Sequence, residues 1–415
     1  MEIKDSIHGY IGVTEIEQTL LDLRHSQRLR NIHTPAGTRL VYPGADSSLM
    51  GAILGVVHMT GLFARYLGAD TDEVQKARIG AFILTLAKGP WSNVMEEYLE
   101  VRGLSRPRLA KLIITESKIK DILSDNGFSP SEISEVVTKG ASIKGLQVNL
   151  LETPINPELI ESLDRDSYFT GVDYAQIEYH RLFDSTRVAK NTIALKRDAL
   201  YTLESYLSAG LNMFDAVYYH KTCRAADLML LRILDMAGTK IMTQPSDDID
   251  TFLTYDDLTF HHILRFYSEE DATEVQEAGA LYDSFCKRYL LKRASSRSIS
   301  DKTFLSRIST PDGLFAVESE IANDAGIDTS MVYVDYPNRS SVPFYPGKHR
   351  LEDLAVYERG SRGYEFWPVT EMSLIARSFG RDLKRVRVYT TRGYRSKVKK
   401  VADQLLESLD APGSA

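Results

Sequence analysis

LMGAILGVVHMTGLFARYL, residues Leu49–Leu67, is the stretch whose reading decides the fold. Asp46, Ser47 or Ser48 supplies a capping side chain just before it, and a helix is expected through Leu67. Its apolar part, Gly51–Tyr66, is interrupted by His58 and Arg65. It reads as too short and too polar to span a bilayer, which takes roughly 20 apolar residues. Upstream, Ile16, Leu20 and Leu21, then Leu29 and Ile32, recur at spacings of three and four and share a helical face. Downstream, Asp70–Thr71–Asp72 caps a second helix running to about Lys88. Pro130 and Ser131 open another after the Asn126–Gly127 turn. Further helical runs are expected over Lys190–Ala209 and over Met213–Gly238, the latter ended by its glycine.

The texture changes after Arg307. Pro311–Asn323 reads as a helix and Met331–Asp335 (MVYVD) as a strand, rich in β-branched and aromatic residues. Leu351–Tyr357 and Val386–Thr390 are two more strand candidates, with helices at Val369–Ser378 and Ser396–Leu409. Asn338–Lys348 reads as a loop and Asp410–Ala415 as a disordered tail. The expected organisation is a helical domain over 1–305, a small α/β module over 306–409, and the tail.

The chain has 415 residues, 43% hydrophobic, and a net charge of -7. That composition suits a globular protein and excludes a dominantly basic nucleic-acid binder or an acidic disordered chain. Two cysteines, Cys223 and Cys286, make no disulfide framework. The first residues, MEIKDSIHG, lack the apolar run of a signal peptide. A soluble, cytoplasmic protein away from membranes is expected.

Seven strings in order carry a family resemblance: KDSIHGYI (Lys4–Ile11), QRLRNI (Gln27–Ile32), VYPGA (Val41–Ala45), LGVVHM (Leu54–Met59), GPWSN (Gly89–Asn93), RDSYFTGVDY (Arg165–Tyr174) and VYYHKTCRAAD (Val217–Asp227). On these the chain resembles the HD-domain phosphohydrolases, in the branch of the sterile-alpha-motif/HD dNTP triphosphohydrolases. The resemblance implies a mainly α fold: an HD-domain helical core with a smaller C-terminal α/β module. It also implies a divalent metal held by a His, an adjacent His–Asp pair and a distant Asp. Such a cation acidifies a water or polarises a phosphate.

Residue by residue, that centre is degenerate here. The first His position falls on Ala52, the His–Asp pair on Leu84 and Thr85, and the distant Asp on Glu158. Alanine and leucine have no donor atom, and a neutral hydroxyl substitutes poorly for a carboxylate. The departures continue around it. Leu49 replaces a basic residue, Lys88 and Asn93 replace histidines, and Arg106 aligns with a further catalytic-side histidine. Leu159 stands for a lysine and Thr34–Pro35 for the Gln–Leu pair along the deoxyribose. No metal cofactor is expected, although the family uses one. Alternative ligands are weak. His58 reads as a plain helical histidine, adjacent His261–His262 point to different faces, and Asp247, Asp248, Asp250, Asp256 and Asp257 read as caps of helices and a turn rather than a calcium loop.

Other positions survive. Asp22, Gln27 and Arg30 match residues that contribute to a guanine-nucleotide effector pocket between subunits in the dNTPase branch. A carboxylate suits the guanine N1/N2 edge, while Gln and Arg reach its acceptors. The bland alternative is an Asp22–Arg30 ion pair within the chain. Tyr10 and Lys4 depart from that pocket's His and Asn. Asp166, Tyr168, Tyr218 and His220 match positions lining or buttressing the substrate pocket, and Lys88 with Arg106 offers a positive patch for a phosphate.

Two basic runs, Lys287–Arg297 and Lys384–Lys400, read chiefly as solvated faces. The second, with Arg385, Arg387, Lys397 and Lys399 beside Tyr389 and Tyr394, is also the candidate nucleic-acid surface. The leading expectation is a catalytically inactive HD-domain protein serving as a nucleotide-sensing or scaffolding subunit. It would work as a homo-oligomer or in complex with another protein, with a guanine nucleotide as effector. The rivals are an active metal-dependent nucleotide phosphohydrolase with a nonstandard site around Glu158, and a nucleic-acid-binding protein using the C-terminal basic module.

Overall fold

The computed structural model describes residues 1–189, 192–267, 272–336, 351–361, 363–379 and 385–409. The loop expected at Asn338–Lys348 and the tail at Asp410–Ala415 lie outside them. Helices dominate, as the resemblance implies. The deciding stretch is a helix over Leu49–Tyr66 behind Ser48. By length and composition it would pass for a membrane span, contrary to the sequence reading. Burial of 67% of that window makes it a core helix. It packs between the Thr71–Leu86 and Pro157–Thr170 helices. The former begins at Asp70, whose side chain accepts from the Glu73 amide in a reciprocal capping box.

Ile16, Leu20, Leu21, Leu29 and Ile32 are all buried, as their spacing predicts. They belong to separate pieces, a helix over Glu15–Leu21 and a single 3₁₀ turn over Arg28–Asn31. The run at Lys190–Ala209 is corrected: Thr192–Lys196 is a strand and a helix follows over Leu200–Met213. The next helix spans Lys221–Ile241, after a π turn at Phe214–Tyr218, and Gly238 does not end it. That glycine serves close packing instead, because a Cβ there would meet the Tyr98 hydroxyl at 2.6 Å.

Eleven strands are described: β1 (Glu2–Asp5), β2 (Gly9–Gly12), β3 (Ala141–Ile143), β4 (Leu146–Val148), β5 (Thr186–Ala189), β6 (Thr192–Lys196), β7 (Lys292–Ser298), β8 (Val332–Asp335), β9 (Ala355–Gly360), β10 (Gly363–Pro368) and β11 (Arg385–Thr390). β1–β2 and β3–β4 are hairpins, and the two larger sheets run β7-β11-β8 and β10-β9-β6-β5. Sheet membership crosses the expected boundary at residue 305. β7 lies before it yet pairs with β11, while β9 lies after it and pairs in parallel with β6. In β7 (KRASSRS) only Ala294 and Ser295 are buried, so no apolar alternation marks the strand in the sequence.

Alternation along β11 and β8 explains how the C-terminal sheet docks. Val386, Val388, Val332 and Val334 face a small core with Val317 and Ile321 of the Pro311–Ala325 helix and Val398 and Ala402 of the Arg395–Ser408 helix. The opposite face presents Tyr333 and Tyr389 to the helical core. There Asp335, fully buried, meets Arg224 of the Lys221–Ile241 helix at 2.7 Å. This pair crosses between the two layers.

Asp335→Ala removes the nearer of the two carboxylates beside the Arg224 guanidinium, leaving Asp227 at 3.6 Å, and should cost about 3 kcal/mol in urea unfolding. Replacing both partners, Arg224→Met with Asp335→Leu, should restore most of that loss. A neutral Asp335→Ala would deny the pair its role in docking the sheet.

Candidate functional site

The turn beside the positions that the resemblance aligns with metal ligands is held by few residues. Arg28, from the QRLRNI string, is buried and donates to the carbonyls of Leu86 (3.0 Å), Lys88 (2.8 Å) and Tyr255 (2.8 Å). It thereby satisfies carbonyls at the end of the Thr71–Leu86 helix, where none is left within the helix itself. The chain then turns through GPWSN with Trp91 at φ 60° and Ser92 at φ 48°, both left-handed without being glycine. Such residues cost on the order of 1–3 kcal/mol each and persist only where surroundings impose them. Here Asp257 does so, accepting from the Trp91 amide at 2.8 Å and from His33 on both its amide (3.0 Å) and its ring (2.9 Å).

Inside this frame the four ligand positions are all buried: Ala52 8% exposed, Leu84 7%, Thr85 2% and Glu158 8%. The Thr85 hydroxyl donates to the Ala81 carbonyl of its own helix at 2.9 Å. Glu158, in the first turn of the Pro157–Thr170 helix, is clamped. The Arg106 guanidinium lies at 2.5 Å and the Lys88 ammonium at 3.2 Å from the same carboxylate oxygen. Burial alone would raise the Glu158 pKa, but Arg106 and then Lys88 outweigh it and hold the carboxyl down at about 2. Arg106 also stands 3.6 Å from Glu96.

These contacts correct one expectation. Lys88 and Arg106 do not form an open positive patch, because Glu158 and Glu96 neutralise them. The donor set does not fit a metal either. Two positions have no donor, the third has its hydroxyl engaged, and the fourth is occupied by protein cations. Among the described residues no group of three or more His, Cys, Asp or Glu is placed to hold a metal ion. The acidic residues near 250 cap helices, with Asp248 accepting from the Thr251 amide and Asp256 from the Thr259 amide. His261 meets the Tyr282 hydroxyl at 3.1 Å while His262 lies against Phe266.

Asp166 and Tyr218 are brought together as an internal pair. The buried phenol donates to the carboxylate at 2.7 Å, and burial pushes Asp166 up to about 7. Tyr168, by contrast, is 63% exposed beside Phe169 and does not join them.

Asp22, Gln27 and Arg30 do converge, with Lys4, on one cleft of about 380 Å³ that reaches Gly51 and Arg165. Arg30 donates to the Gln27 amide oxygen at 2.9 Å, and Gln27 to the Leu21 carbonyl at 2.7 Å. Among the described residues no Asp22–Arg30 ion pair forms, so the bland alternative is not realised. Lys4 sits 4.5 Å over the ring of Tyr10, which is exposed.

One cluster escaped the sequence reading. Asp5 accepts from the amides of Ile7 and His8 and pairs with Arg165 at 2.9 Å, and Arg165 in turn binds Glu161. His8 is buried with its ring 5.4 Å from that of His58. Its two nitrogens and one Glu161 oxygen lack hydrogen-bond partners. Burial pushes Glu161 up to about 7 and His8 down to about 4. The available signal was spacing: Glu161 lies three residues after Glu158, on one helical face.

The four nucleic-acid candidates do not all reach the surface. Arg387 is buried, donates to the Tyr219 carbonyl and stacks 3.7 Å over the Tyr219 ring. Arg385 pairs with Asp215 at 3.3 Å and Lys399 with Asp403, which leaves Lys397 exposed without a carboxylate partner among the described residues. Tyr389, a proposed stacking residue, is fully buried.

The clamp has a pH signature. Glu158 ionises more readily folded, at about 2, than at its ordinary 4.5. Its stabilisation is therefore complete above 4.5 and disappears as pH falls towards 2. Glu158→Gln, which leaves Lys88 without its carboxylate and Arg106 with Glu96 alone, should cost about 3 kcal/mol at neutral pH. The difference from the unsubstituted protein should shrink on acidification in parallel denaturant titrations.

Comparisons with known proteins identify the family. A family model described as HD associated region matches residues 177–413. An uncharacterized protein of Methanocaldococcus jannaschii is 31% identical over 267 residues, 63% of this chain and 54% of that protein. The deoxynucleoside triphosphate triphosphohydrolase SAMHD1 homolog of Dictyostelium discoideum is 23% identical over 246 residues, 55% of this chain and 48% of that protein. The chain thus spans about half the length of these curated relatives. The crystal structure of a hypothetical protein from Aquifex aeolicus aligns with a TM-score of 0.71 at 21% identity, over 97% of this chain and 99% of that one, and so shares the fold. On the match to residues 177–413 and on these relatives, the chain belongs to the HD superfamily, as a member with the HD associated region related to the SAMHD1 branch.

Proposed function

We propose that this is a non-catalytic member of its phosphohydrolase family, a cytoplasmic regulatory subunit that senses a guanine nucleotide without hydrolysing it. The single observation that carries the reading is Glu158 held between Lys88 and Arg106. Where the resemblance calls for a divalent cation, two side-chain cations balance the one remaining carboxylate. A water at such a position would have no Lewis acid to lower its pKa.

The sensing half of the reading rests on the cleft of Asp22, Gln27 and Arg30. Asp22 is exposed there and offers a carboxylate to the guanine edge, while Arg30 and Lys4 supply positive charge for phosphates. Because the cleft reaches Gly51, beside Ala52, nucleotide binding would bear on the same helix that once carried a metal ligand. A subunit of this kind acts through assembly, either with copies of itself or with another protein.

Purified protein with Mn²⁺ or Mg²⁺ should leave dNTPs intact, while dGTP or GTP should raise its melting temperature. Asp22→Ala should remove the shift, and Glu158→Gln should not confer hydrolysis. Turnover at an enzyme-like rate that Glu158→Ala abolishes would overturn the reading. So would a thermal shift indifferent to Asp22.

A further inference from the structure

A second cavity, lined by none of the clamp residues, lies where the helical core meets the β7-β11-β8 sheet. It measures about 770 Å³, within the range of small-molecule sites. Its walls come from the Lys221–Ile241 helix (Met229, Met236), the Thr273–Cys286 helix (Leu281), the approach to β7 (Leu290, Leu291) and the start of β8 (Met331, Tyr333). The lining, which also includes Ser284, Ser330 and Thr391, is largely apolar and rich in methionine, a side chain whose flexibility adapts to varied apolar shapes. Tyr333 forms part of the wall under the guanidinium of Arg232, 4.6 Å above its ring. Arg232 itself is committed to Glu318 at 2.8 Å.

The rim is different in kind. Arg288, Lys292 and Arg392 line it, against a single carboxylate, Glu277. Arg288 donates to the Leu40 carbonyl at 2.9 Å. Lys292 and Arg392 are exposed and have no carboxylate partner among the described residues. A largely apolar cavity with Lys292 and Arg392 exposed at its edge and one carboxylate, Glu277, complements a molecule that is apolar at one end and anionic at the other. A nucleotide fits it poorly: its polar sugar and base edges would lose hydrogen bonds to water in a chamber of methionine, leucine and a tyrosine face.

We propose that this cavity binds a small amphipathic carboxylate, its apolar body between Met229, Met236, Leu281 and Met331 and its carboxylate at Lys292 and Arg392. Because the walls come from both the helical core and the C-terminal sheet, an occupant stabilises their docked arrangement, and binding stabilises the fold by mass action.

The test is fluorescence titration of the full chain with anilinonaphthalenesulfonate, an apolar anion, followed by displacement. A single saturable site should appear, displaced by decanoate and at least tenfold less well by decanol. Lys292→Ala with Arg392→Ala, both surface changes, should weaken decanoate binding tenfold or more without lowering the melting temperature. Met236→Trp should block the site by filling it, and Met331→Trp, on the opposite wall, provides a second blocked variant if the first folds poorly. The absence of a saturable site would overturn the proposal. Equal displacement by decanol, binding indifferent to the rim or to filling, or displacement by dGTP in preference to decanoate would also overturn it. The last outcome would make the cavity a nucleotide site.

Discussion

A carboxylate stays ionised in a protein interior only where positive charge or hydrogen-bond donors offset its desolvation, and Glu158 is the buried carboxylate at the centre of this fold that relies on side-chain cations. Desolvation of an isolated ion costs several kcal/mol even after relaxation. Lys88 and Arg106 offset that cost, one from the end of the Thr71–Leu86 helix and one from the start of the Arg106–Glu116 helix. Three helix ends are therefore drawn to one point by charge. At the positions that the resemblance aligns with metal ligands, this chain carries an ion-pair network. The positive charge beside Glu158 comes from side chains of the chain itself.

Around that point the frame is preserved at a cost. Trp91 and Ser92 remain in the left-handed region, and Arg28 and Asp257 hold the strained turn in place. Asp5, Arg165 and Glu161 join the N-terminal hairpin to the Pro157–Thr170 helix one turn along from the clamp. Gly55 makes that approach close, because a Cβ there would fall 2.2 Å from Glu161. This backbone geometry positions the ion pair at Glu158.

Much of this was legible in the sequence where the signal is local. Gap-free strings flank positions 52, 84 and 85, so loss of donor atoms there could be read directly. The Leu49–Tyr66 helix and strand β8 follow from periodicity. What was not legible depends on distant partners. Arg106 and Glu158 are 52 residues apart, and nothing in either string announces that they meet. The cations at 88 and 106 therefore read as free charge when they are neutralised. Thr192–Lys196 contains Ala, Leu and Lys, which favour helix, yet pairing with β5 and β9 makes it a strand. Arg387 looks like a surface cation, but the alternation that buries its neighbouring valines on one face buries it on the other, against Tyr219.

The central claim is that side-chain cations have replaced the metal, and the most direct measurement is the metal content of the purified protein by elemental mass spectrometry. After exposure to Mn²⁺, Fe²⁺ and Zn²⁺ and removal of the excess, far less than one ion per chain should remain. Lys88→Ala combined with Arg106→Ala should not bring the content to stoichiometry, since Ala52 and Leu84 offer no donor. One tightly held ion per chain, lost on Glu158→Gln, would contradict the account.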